Sequence, residues 1–362
     1  MERRGPADLL LFFIMLVLLA VGLIMVLSSS SYDAMLTYDD SLYYFKRQLI
    51  FMLGGFFVMF LMMNISPAFV KSLVAPVMLV CIVMLFLVPF IGIEVNGARR
   101  WLGVGSIRFA PAEVAKPVVI VFFAMWLTSL GKKNLQTLKG FVYTLMVLAI
   151  IPVLVVIEDL GTAIAIAGAL VCMMIAAEVP WKYLLGTMGI GFAGVVAMIA
   201  VKPYRIKRIL VWLDPFSDPL GNGYQAVQSL YALGSGGLFG VGLGASRQKL
   251  MHLPERHTDF IFSIIGEELG FIGAAFVILL FALFIWRGFY IATHLDDKFK
   301  SLTAFGLTAV IGIQAMINIG VAVGFLPVTG ITLPFISYGG TSLVFMLATV
   351  GFLLNMSRYM KQ

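Results

Sequence analysis

The sequence predicts an all-α, polytopic membrane helix bundle with about ten transmembrane helices and one long extracellular loop between spans seven and eight. Hydrophobic residues make up 61% of the 362 residues and charged residues 12%, and the mean hydropathy is +1.03, far outside the range of a soluble domain. The apolar residues form ten runs long enough to cross a bilayer. Residues 1–362 should therefore form one membrane domain, with 202–258 as its large extracellular loop.

The apolar runs give the predicted spans in chain order. The first run is too long for the apolar region of a signal peptide and is followed by no small-residue cleavage site, so it should remain as span one. The predicted spans are 8–29, 48–64, 72–92, 112–130, 141–157, 162–178, 183–201, 262–286, 302–325 and 338–357. Cys81 and Cys172 lie inside such runs and are expected to be small buried hydrophobic residues rather than a disulfide or metal site.

The positive charges of the short connections predict the orientation of the chain. With the N-terminus inside, the inner ends of the spans carry twelve Lys and Arg residues, and the short outer loops carry five. Because Lys and Arg are retained on the cytoplasmic side, both termini are expected to be cytoplasmic.

The long loop is itself basic. It contains Lys202, Arg205, Lys207, Arg208, Arg247, Lys249 and Arg256. Long loops are largely exempt from the orientation rule, so the topology stands, but positive charge concentrated outside suits a polyanionic substrate. For any single arginine, contact with anionic lipid headgroups is an equal alternative. The net charge of +7 is divided between the two faces and forms no basic stripe with interleaved aromatics, so no nucleic-acid partner is expected.

Segment 96–117 has the Gly and Pro punctuation of a structured loop that leads into a helix. Pro111 suits the first helical turn. Glu113 and Lys116 lie three residues apart and should pair on one helix face, either structurally or at a binding site. Trp101 is expected either as an interfacial anchor or as a substrate platform.

Two acids, Glu158 and Asp159, lie between spans five and six. They form either an exposed tight turn or an inward-facing site, in which one acid meets a cation such as Lys116 or a bound divalent metal.

Within the long loop, residues 224–233 have the spacing of a short amphipathic helix on the outer surface. The glycines of 234–244 do not have the spacing of a nucleotide fingerprint, and they predict a flexible loop or a backbone nest for an anion. His252 and His257 occur near Asp259, but neither a His-Glu-x-x-His motif nor a Cys pair accompanies them, which argues against zinc.

Segment 253–270 concentrates ionisable residues where the long loop enters span eight. Asp259 stands at the outer end of that span, where burial would raise its pKa and nearby arginines would lower it, so it is the candidate general base. His257 would orient an acid, donate to a phosphate, or be a plain loop histidine. Glu267 and Glu268 lie about 12 Å further along a helix and should pair within the bundle.

These motifs together resemble the SEDS family (shape, elongation, division and sporulation), which includes FtsW, RodA and SpoVE. The resemblance covers nearly the whole chain and is closest to the FtsW and SpoVE branch, with Ala112 standing where the family usually has Ser. The matching segments are Lys46 to Gln48, Asn96 to Trp101, Pro111 to Lys116, Asp159 to Thr162, Tyr204 to Arg208, Asp214 to Gln225, Pro254 to Phe260 and Pro327 to Gly340.

The resemblance implies a peptidoglycan glycosyltransferase of the bacterial cytoplasmic membrane. It would polymerise lipid II into β-1,4-linked glycan at the outer face during division or sporulation, with Asp259 as catalytic base. No cofactor is required by the sequence, although a divalent cation (Mg²⁺ or Mn²⁺) is an option. The expected partners are a class B penicillin-binding protein with transpeptidase activity and other divisome or elongasome proteins. The candidate substrate-binding residues are Lys116, Glu113, Arg47, Arg100, Trp101, Arg108, Asp159, Arg205, Arg208 and His257.

Two other functions fit the composition and topology. Charged groups within a multispan bundle are also used by transporters, so the protein would alternatively flip lipid II across the membrane. It would otherwise be a non-catalytic scaffold for a penicillin-binding protein. Segment 327–340, rich in Gly, Pro and Thr, is expected to be a re-entrant outer loop that lines a cavity.

Overall fold

The computed structural model describes residues 5–95, 98–104, 107–157, 159–201, 203–250 and 252–360. This part of the chain forms twelve α-helices, a three-stranded sheet and a 3₁₀ turn at Pro215–Ser217. The helices are α1 Leu9–Tyr38, α2 Tyr43–Asn64, α3 Pro67–Ile91, α4 Pro111–Leu135, α5 Leu138–Val156, α6 Leu160–Ala176, α7 Trp181–Val201, α8 Pro203–Leu213, α9 Tyr224–Ser235, α10 Ile261–Thr293, α11 Lys298–Ala322 and α12 Gly340–Ser357. The strands are β1 Ile93–Val95, β2 Ala98–Val104 and β3 Ile107–Phe109.

Each predicted span coincides with one of these helices, which confirms the membrane helix bundle. In the described residues, nine helices are long and apolar enough to cross a membrane, and α6 is an apolar helix of 17 residues. The deeply buried helix α11 packs against α4, α6, α10 and α12. Helices α2 and α3 are consecutive but pack mainly against different neighbours, α2 against α1 and α12, and α3 against α4 and α5.

The first and last described segments of the chain lie together. The backbone N–H of Gly5 donates to the carbonyl of Arg358 at 2.8 Å, and the Asp8 carboxylate pairs with Arg287 at 2.6 Å. The opposite end of the bundle, which we call the cavity end, therefore carries the α1–α2 connection, the sheet and segment 203–258.

Helix α1 extends nine residues beyond the end of predicted span one. The apolar run stops at a row of serines, but the helix continues because serine hydroxyls bond within it, as Ser30 does to the carbonyl of Val26 at 2.6 Å. Hydropathy therefore marked the end of the apolar segment rather than the end of the helix.

The predicted structured loop before α4 is a small antiparallel sheet. Ile93 of β1 lies opposite Trp101 of β2, and Leu102 lies opposite Phe109 of β3. Pro111 occupies the first turn of α4, as expected. The sheet is a local β addition to an otherwise helical bundle, and it carries three of the candidate site residues.

The segment predicted as one long loop contains two α-helices, α8 and α9. The amphipathic helix expected at residues 224–233 is confirmed as α9, but α8 was not predicted. Helix α8 begins at Pro203 and has a strongly amphipathic pattern, with Arg205 buried while Tyr204 and Ile206 are exposed.

Helix α10 is broken at Gly270, whose φ of +68° is accessible mainly to glycine. A Cβ there would lie 2.3 Å from the backbone nitrogen of Gly240. The helical hydrogen bonds lost at the break are replaced by bonds to segment 237–242. The four replacement bonds run from Val241 N to Glu267 O, from Gly242 N to Glu268 O, from Phe271 N to Gly237 O and from Ile272 N to Leu238 O.

Within the predicted glycine segment, Val241 and Gly242 donate to helix carbonyls rather than to an anion. The backbone amides that receive carboxylates lie just after it, in residues 246–248, and the carboxylates belong to the chain itself. Glu267 accepts from the N–H of Arg247 at 2.8 Å, and Glu268 pairs with Lys249 at 3.0 Å. Glu268 also accepts from the hydroxyl of Ser28 on α1. The predicted pairing of the two glutamates within the bundle is thus observed, and it fixes segment 245–249 to α10 and α1.

Candidate active site

A cavity of about 1290 Å³ lies at the cavity end, between α2, α3, α4, α6 and the loop that follows α11. Its apolar wall is formed by Phe51, Leu85, Val88, Leu154 and Val155. Eight charged residues also line it, namely Arg47, Arg100, Arg108, Arg208, Glu113, Asp159, Glu255 and Asp259. The cavity therefore combines an apolar wall with a dense set of opposite charges.

The loop after α11 enters the bundle, as predicted for a re-entrant segment. A Cβ on Gly22, in the middle of α1, would lie 2.5 Å from the carbonyl oxygen of Phe335. Residues 328–332 and 338–339 of this loop line the cavity. The side chain of Ser337 lies outside the lining and donates to the carbonyl of Thr258 at 2.5 Å.

Asp259 lies in the loop before α10 and opens on this cavity. Burial raises the pKa of its carboxyl to about 7; Glu255 and Asp159 act in the same direction, while Arg100 and Arg208 oppose them. A carboxyl that titrates near neutral pH can accept a proton effectively in that range. The site therefore has the electrostatics of a general base.

Arg100 and Asp259 converge on Gly330. A Cβ on Gly330 would lie 3.5 Å from Nη1 of Arg100 and 3.5 Å from Oδ2 of Asp259, so these atoms are no more than twice that distance apart. Gly330 has φ +80°, a conformation that L side chains rarely adopt. Glycine here permits both the backbone turn and the open space between the two charges.

Asp159 is turned inward rather than exposed. It caps α6, with Oδ1 accepting from the N–H of Thr162 and Oδ2 accepting from the Thr162 hydroxyl, each at 3.0 Å. Oδ2 also lies 3.8 Å from Nη1 of Arg100. The cation it meets is thus Arg100 and not Lys116, while Glu158 lies outside the described residues.

The two candidate arginines of α8 have different surroundings. Arg208 lines the cavity and donates to the carbonyl of Val328 at 3.0 Å, and burial lowers the pKa of its guanidinium. Arg205 lies outside the cavity lining and donates to the carbonyls of Val156 and Met198. Arg205 therefore fixes α8 to the ends of α5 and α7, and Arg208 faces the site.

The predicted pair Glu113–Lys116 forms at 2.8 Å. Glu113 lines the cavity and accepts from the hydroxyl of Ser342, whereas Lys116 is buried behind it and donates to Oε1 of Gln314 at 2.8 Å. Lys116 thus does not line the cavity itself, but it contacts Glu113 and Gln314, which do.

Of the remaining candidates, Arg47, Trp101 and Arg108 line the cavity, whereas His257 does not. The His257 ring packs against Tyr44 and Tyr338, with centroid distances of 4.7 and 5.7 Å, and burial lowers the pKa of its imidazole.

Four residues near the site escaped the sequence reasoning. Glu255 lies in the loop before α10 and lines the cavity. Gly330 lies between Arg100 and Asp259. Gln314 and Asn318 of α11 donate to the surrounding backbone carbonyls. Two amides four residues apart in an apolar helix were a usable signal, because such groups in membrane helices are usually bonded to a partner.

The fold and the site define a multi-pass membrane protein with a charged cavity that holds a buried acid. The FtsW, RodA and SpoVE family model, described as a cell cycle protein, matches residues 8–362, and the chain belongs to this family. Stage V sporulation protein E of Bacillus subtilis (strain 168) is 45% identical over 315 residues, covering 86% of each chain. A probable peptidoglycan glycosyltransferase FtsW of Geobacter sp. (strain M18) is 39% identical over 317 residues, covering 87% of this chain and 86% of that one.

Two solved structures share the fold. A chain of a peptidoglycan synthase complex, from work on the structural coordination of polymerization and crosslinking, has a TM-score of 0.79 and 30% identity, covering 98% of this chain and 99% of that one. The rod shape determining protein RodA of Thermus thermophilus has a TM-score of 0.72 and 27% identity, covering 98% of each chain.

Proposed function

We propose that this protein polymerises lipid II into β-1,4-linked glycan at the outer face of the bacterial cytoplasmic membrane, with Asp259 as the general base. The peptidoglycan glycosyltransferase activity follows from the family, because relatives that cover most of the chain carry that name. The observation that supports the role of Asp259 is its carboxyl, titrating near neutral pH in a cavity that also holds Arg100 and Arg208.

In the proposed reaction, the Asp259 carboxylate takes the proton from the 4-hydroxyl of the acceptor GlcNAc. The hydroxyl oxygen attacks the anomeric carbon of the donor sugar. The bond from that carbon to the pyrophosphate breaks, and undecaprenyl pyrophosphate leaves with the electron pair. One displacement inverts an α-linked donor to a β product, so a second catalytic carboxylate is not needed as a nucleophile.

The pyrophosphate is the main charge to be stabilised, and the cavity offers four arginines for it: Arg47, Arg100, Arg108 and Arg208. Guanidinium groups match phosphate oxygens in a bidentate geometry, and fixed charges in a desolvated site act strongly on a leaving group. The apolar wall that includes Phe51 and Leu85 would accept the first part of the lipid tail.

A divalent cation was the remaining option from the sequence. The described residues contain no group of three or more His, Cys, Asp or Glu side chains that could hold one. A divalent cation therefore stays a prediction, and the proposed reaction assigns no step to Mg²⁺ or Mn²⁺.

The proposal requires the cavity end to face outward and both termini to be cytoplasmic. The bias of Lys and Arg toward the short connections on the side of the termini supports this orientation. A reporter enzyme that works only in the cytoplasm should be active when it is fused to either terminus. Activity, for both fusions, of a reporter that works only on the outer side of the membrane would show that the topology is inverted, and it would contradict an outer polymerisation site.

The proposed partner is a class B penicillin-binding protein with a single membrane span. The solved complex that this chain resembles is a peptidoglycan synthase described as coordinating polymerization with crosslinking. Helix α10 offers a continuous exposed apolar row for a partner helix, made of Ile272, Phe276, Leu279 and Leu283. Leu279→Trp should abolish co-purification with the cognate transpeptidase, whereas Ile190→Trp on the exposed face of α7 should not. Equal recovery with both variants would argue against this face.

The decisive test is polymerisation of lipid II by the purified protein with its transpeptidase partner. Asp259→Asn keeps the side-chain size but removes the base, and the rate should fall at least about 100-fold. Asp39→Asn is the matched control, because Asp39 is exposed at the end of α1 in a left-handed conformation that Asn tolerates.

Near-normal polymerisation by Asp259→Asn would remove the base assignment. Lack of polymer from the wild-type protein, combined with lipid II translocation in liposomes, would instead support a flippase. Normal growth and polymer synthesis in cells that carry only Asp259→Ala would support a scaffold.

A further inference from the structure

Helix α11 carries two buried amide side chains one turn apart, Gln314 and Asn318. They are only 2% and 1% exposed. A buried amide in an apolar helix is destabilising unless its polar atoms are bonded. Both side chains point to the same stretch of backbone, the loop that follows α11.

Asn318 joins the two loops that form the catalytic pocket. Its Nδ2 donates to the carbonyl of Asp259 at 2.7 Å and to the carbonyl of Ile331 at 2.7 Å. Ile331 directly follows Gly330, the residue on which Arg100 and Asp259 converge. The Asn318 amide therefore links the backbone of Asp259 to the backbone next to Gly330, where Arg100 faces the acid.

Gln314 extends this connection to the charged pair of α4. Its Nε2 donates to the carbonyl of Thr332 at 3.0 Å, and its Oε1 accepts from Lys116 at 2.8 Å. Lys116 in turn pairs with Glu113 of the cavity wall. A chain of polar contacts thus runs from the cavity wall, through α11, to the loop beside Asp259.

The geometry points to Asn318 as a positioning residue for Asp259, supported by Gln314; this inference rests on the proposed role of Asp259 as the base. The loop after α11 has no helix or strand from residue 327 to 339. A backbone bond from Tyr338 N to His257 O holds its second half, and side-chain bonds from Asn318 and Gln314 hold the part at residues 331 and 332. Asn318 holds the Asp259 carbonyl against rigid α11 and keeps the carboxyl in its desolvated position. Without these bonds, the acid would move toward water in the cavity.

The chain contains a close match for comparison, Asn355 of α12. It is also fully buried, and its Nδ2 also donates to two backbone carbonyls, those of Met62 and Ile65. These contacts lie at the end of the bundle where Gly5 bonds to Arg358, away from the cavity. Asn318→Leu and Asn355→Leu therefore remove the same chemical groups, but only the first removes them beside the site.

The test measures kcat, KM and the pH dependence of lipid II polymerisation for both variants, corrected for folded protein. A displaced base lowers the rate without a matching loss of binding, so Asn318→Leu should reduce kcat about 10- to 100-fold while KM stays nearly constant. Because burial is the main cause of the raised pKa of Asp259, hydration of the carboxyl should move the acidic limb of the profile to lower pH. Asn355→Leu should keep the wild-type kcat and pH profile.

Gln314→Leu is the second variant, and it should give a smaller change of the same kind, because it leaves the Asn318 bonds in place. Wild-type kcat and pH profile in folded Asn318→Leu would overturn the positioning role. Equal changes in Asn318→Leu and Asn355→Leu would also overturn it, since the effect would then be general destabilisation. The result for Asp259→Asn separates the two proposals: an active Asp259→Asn removes the base assignment, whereas an inactive one with normal Asn318→Leu removes only the positioning role.

Discussion

Nη1 of Arg100 lies 3.8 Å from Oδ2 of Asp159, on the wall of the cavity that contains Asp259. Asp159 is held by Thr162 at the start of α6, so its position is set by a helix cap. Arg100 therefore stands between a fixed acid and the acid proposed to do the chemistry. The two neighbours act on the pKa of Asp259 in opposite directions, Arg100 lowering it and Asp159 raising it.

Opposite shifts of the pH–rate profile should follow from substituting these two neighbours. Arg100→Met removes a positive charge, so the acidic limb should move to higher pH, whereas Asp159→Asn removes a negative charge and should move it to lower pH. Asn also caps helices well, which keeps α6 intact in the second variant. The measurement is kcat/KM for lipid II across the range around pH 7. Shifts in the same direction for both variants would show that neither charge acts on the titrating base.

Replacing Asp259 should stabilise the protein at alkaline pH. The pKa of the Asp259 carboxyl is about 7 in the folded protein, whereas its ordinary value, taken for the unfolded chain, is 3.8. The folded protein therefore holds the proton more tightly than the unfolded chain does. The stability that comes from this tighter proton binding is fully present below pH 3.8 and is lost as the pH rises through about 7. Asp259→Asn cannot ionise, so its thermal midpoint should exceed that of the wild type at pH 8. The gain should nearly vanish at pH 4; a gain of equal size at both pH values would mean that ionisation is not its cause.

A methyl group at Gly330 should impair both stability and activity. The positive φ destabilises Gly330→Ala by about 1–2 kcal/mol. The added carbon fits at 3.5 Å from Arg100 and Asp259, but it occupies the space between them. We expect a lower unfolding midpoint and a kcat reduced about tenfold. Gly189→Ala is the control, because Gly189 lies in α7 with no described atom near its Cβ position; it should leave activity unchanged, and a comparable loss there would contradict the prediction.

The pair Lys249–Glu268 should be far more sensitive to the loss of one partner than to the loss of both. Both side chains are buried, so Lys249→Met leaves an uncompensated carboxylate and should destabilise the protein by about 3–5 kcal/mol. Adding Glu268→Gln removes that charge and should recover part of the stability. Unfolding midpoints of the two single variants and the double variant measure this coupling. Additive losses would indicate that the two groups do not interact.

The sequence predicted the spans and the central acid because each has a local signal. Apolar runs mark the helices that cross a membrane, and Asp259 is a charge at the boundary between such a run and a basic loop. The pair Glu113–Lys116 was also predictable, since three-residue spacing within one helix fixes the distance between the two side chains. Each of these inferences uses only residues that are close together in the sequence.

What the sequence did not predict depends on contacts with distant segments. Arg205 and Arg208 lie three residues apart in α8, a spacing that makes them neighbours on the helix surface. Arg205 nevertheless donates to carbonyls at the ends of α5 and α7, whereas Arg208 lines the cavity and donates to the carbonyl of Val328. The break at Gly270 depends on a loop about thirty residues earlier. The bond from Asn318 to Asp259 joins residues 59 positions apart, and no periodicity reports such a contact.

The tie between Asp259 and the loop after α11 also has a consequence for biosynthesis. A nascent chain that has emerged through α10 already contains the acid, Arg100 and Arg208, but not the backbone around Gly330 that completes their surroundings. The carboxyl thus acquires its final environment only when the segment beginning at Pro327 has been inserted. Under the proposed mechanism, a membrane-inserted chain that stops before Pro327 lacks the completed site and should not support the reaction.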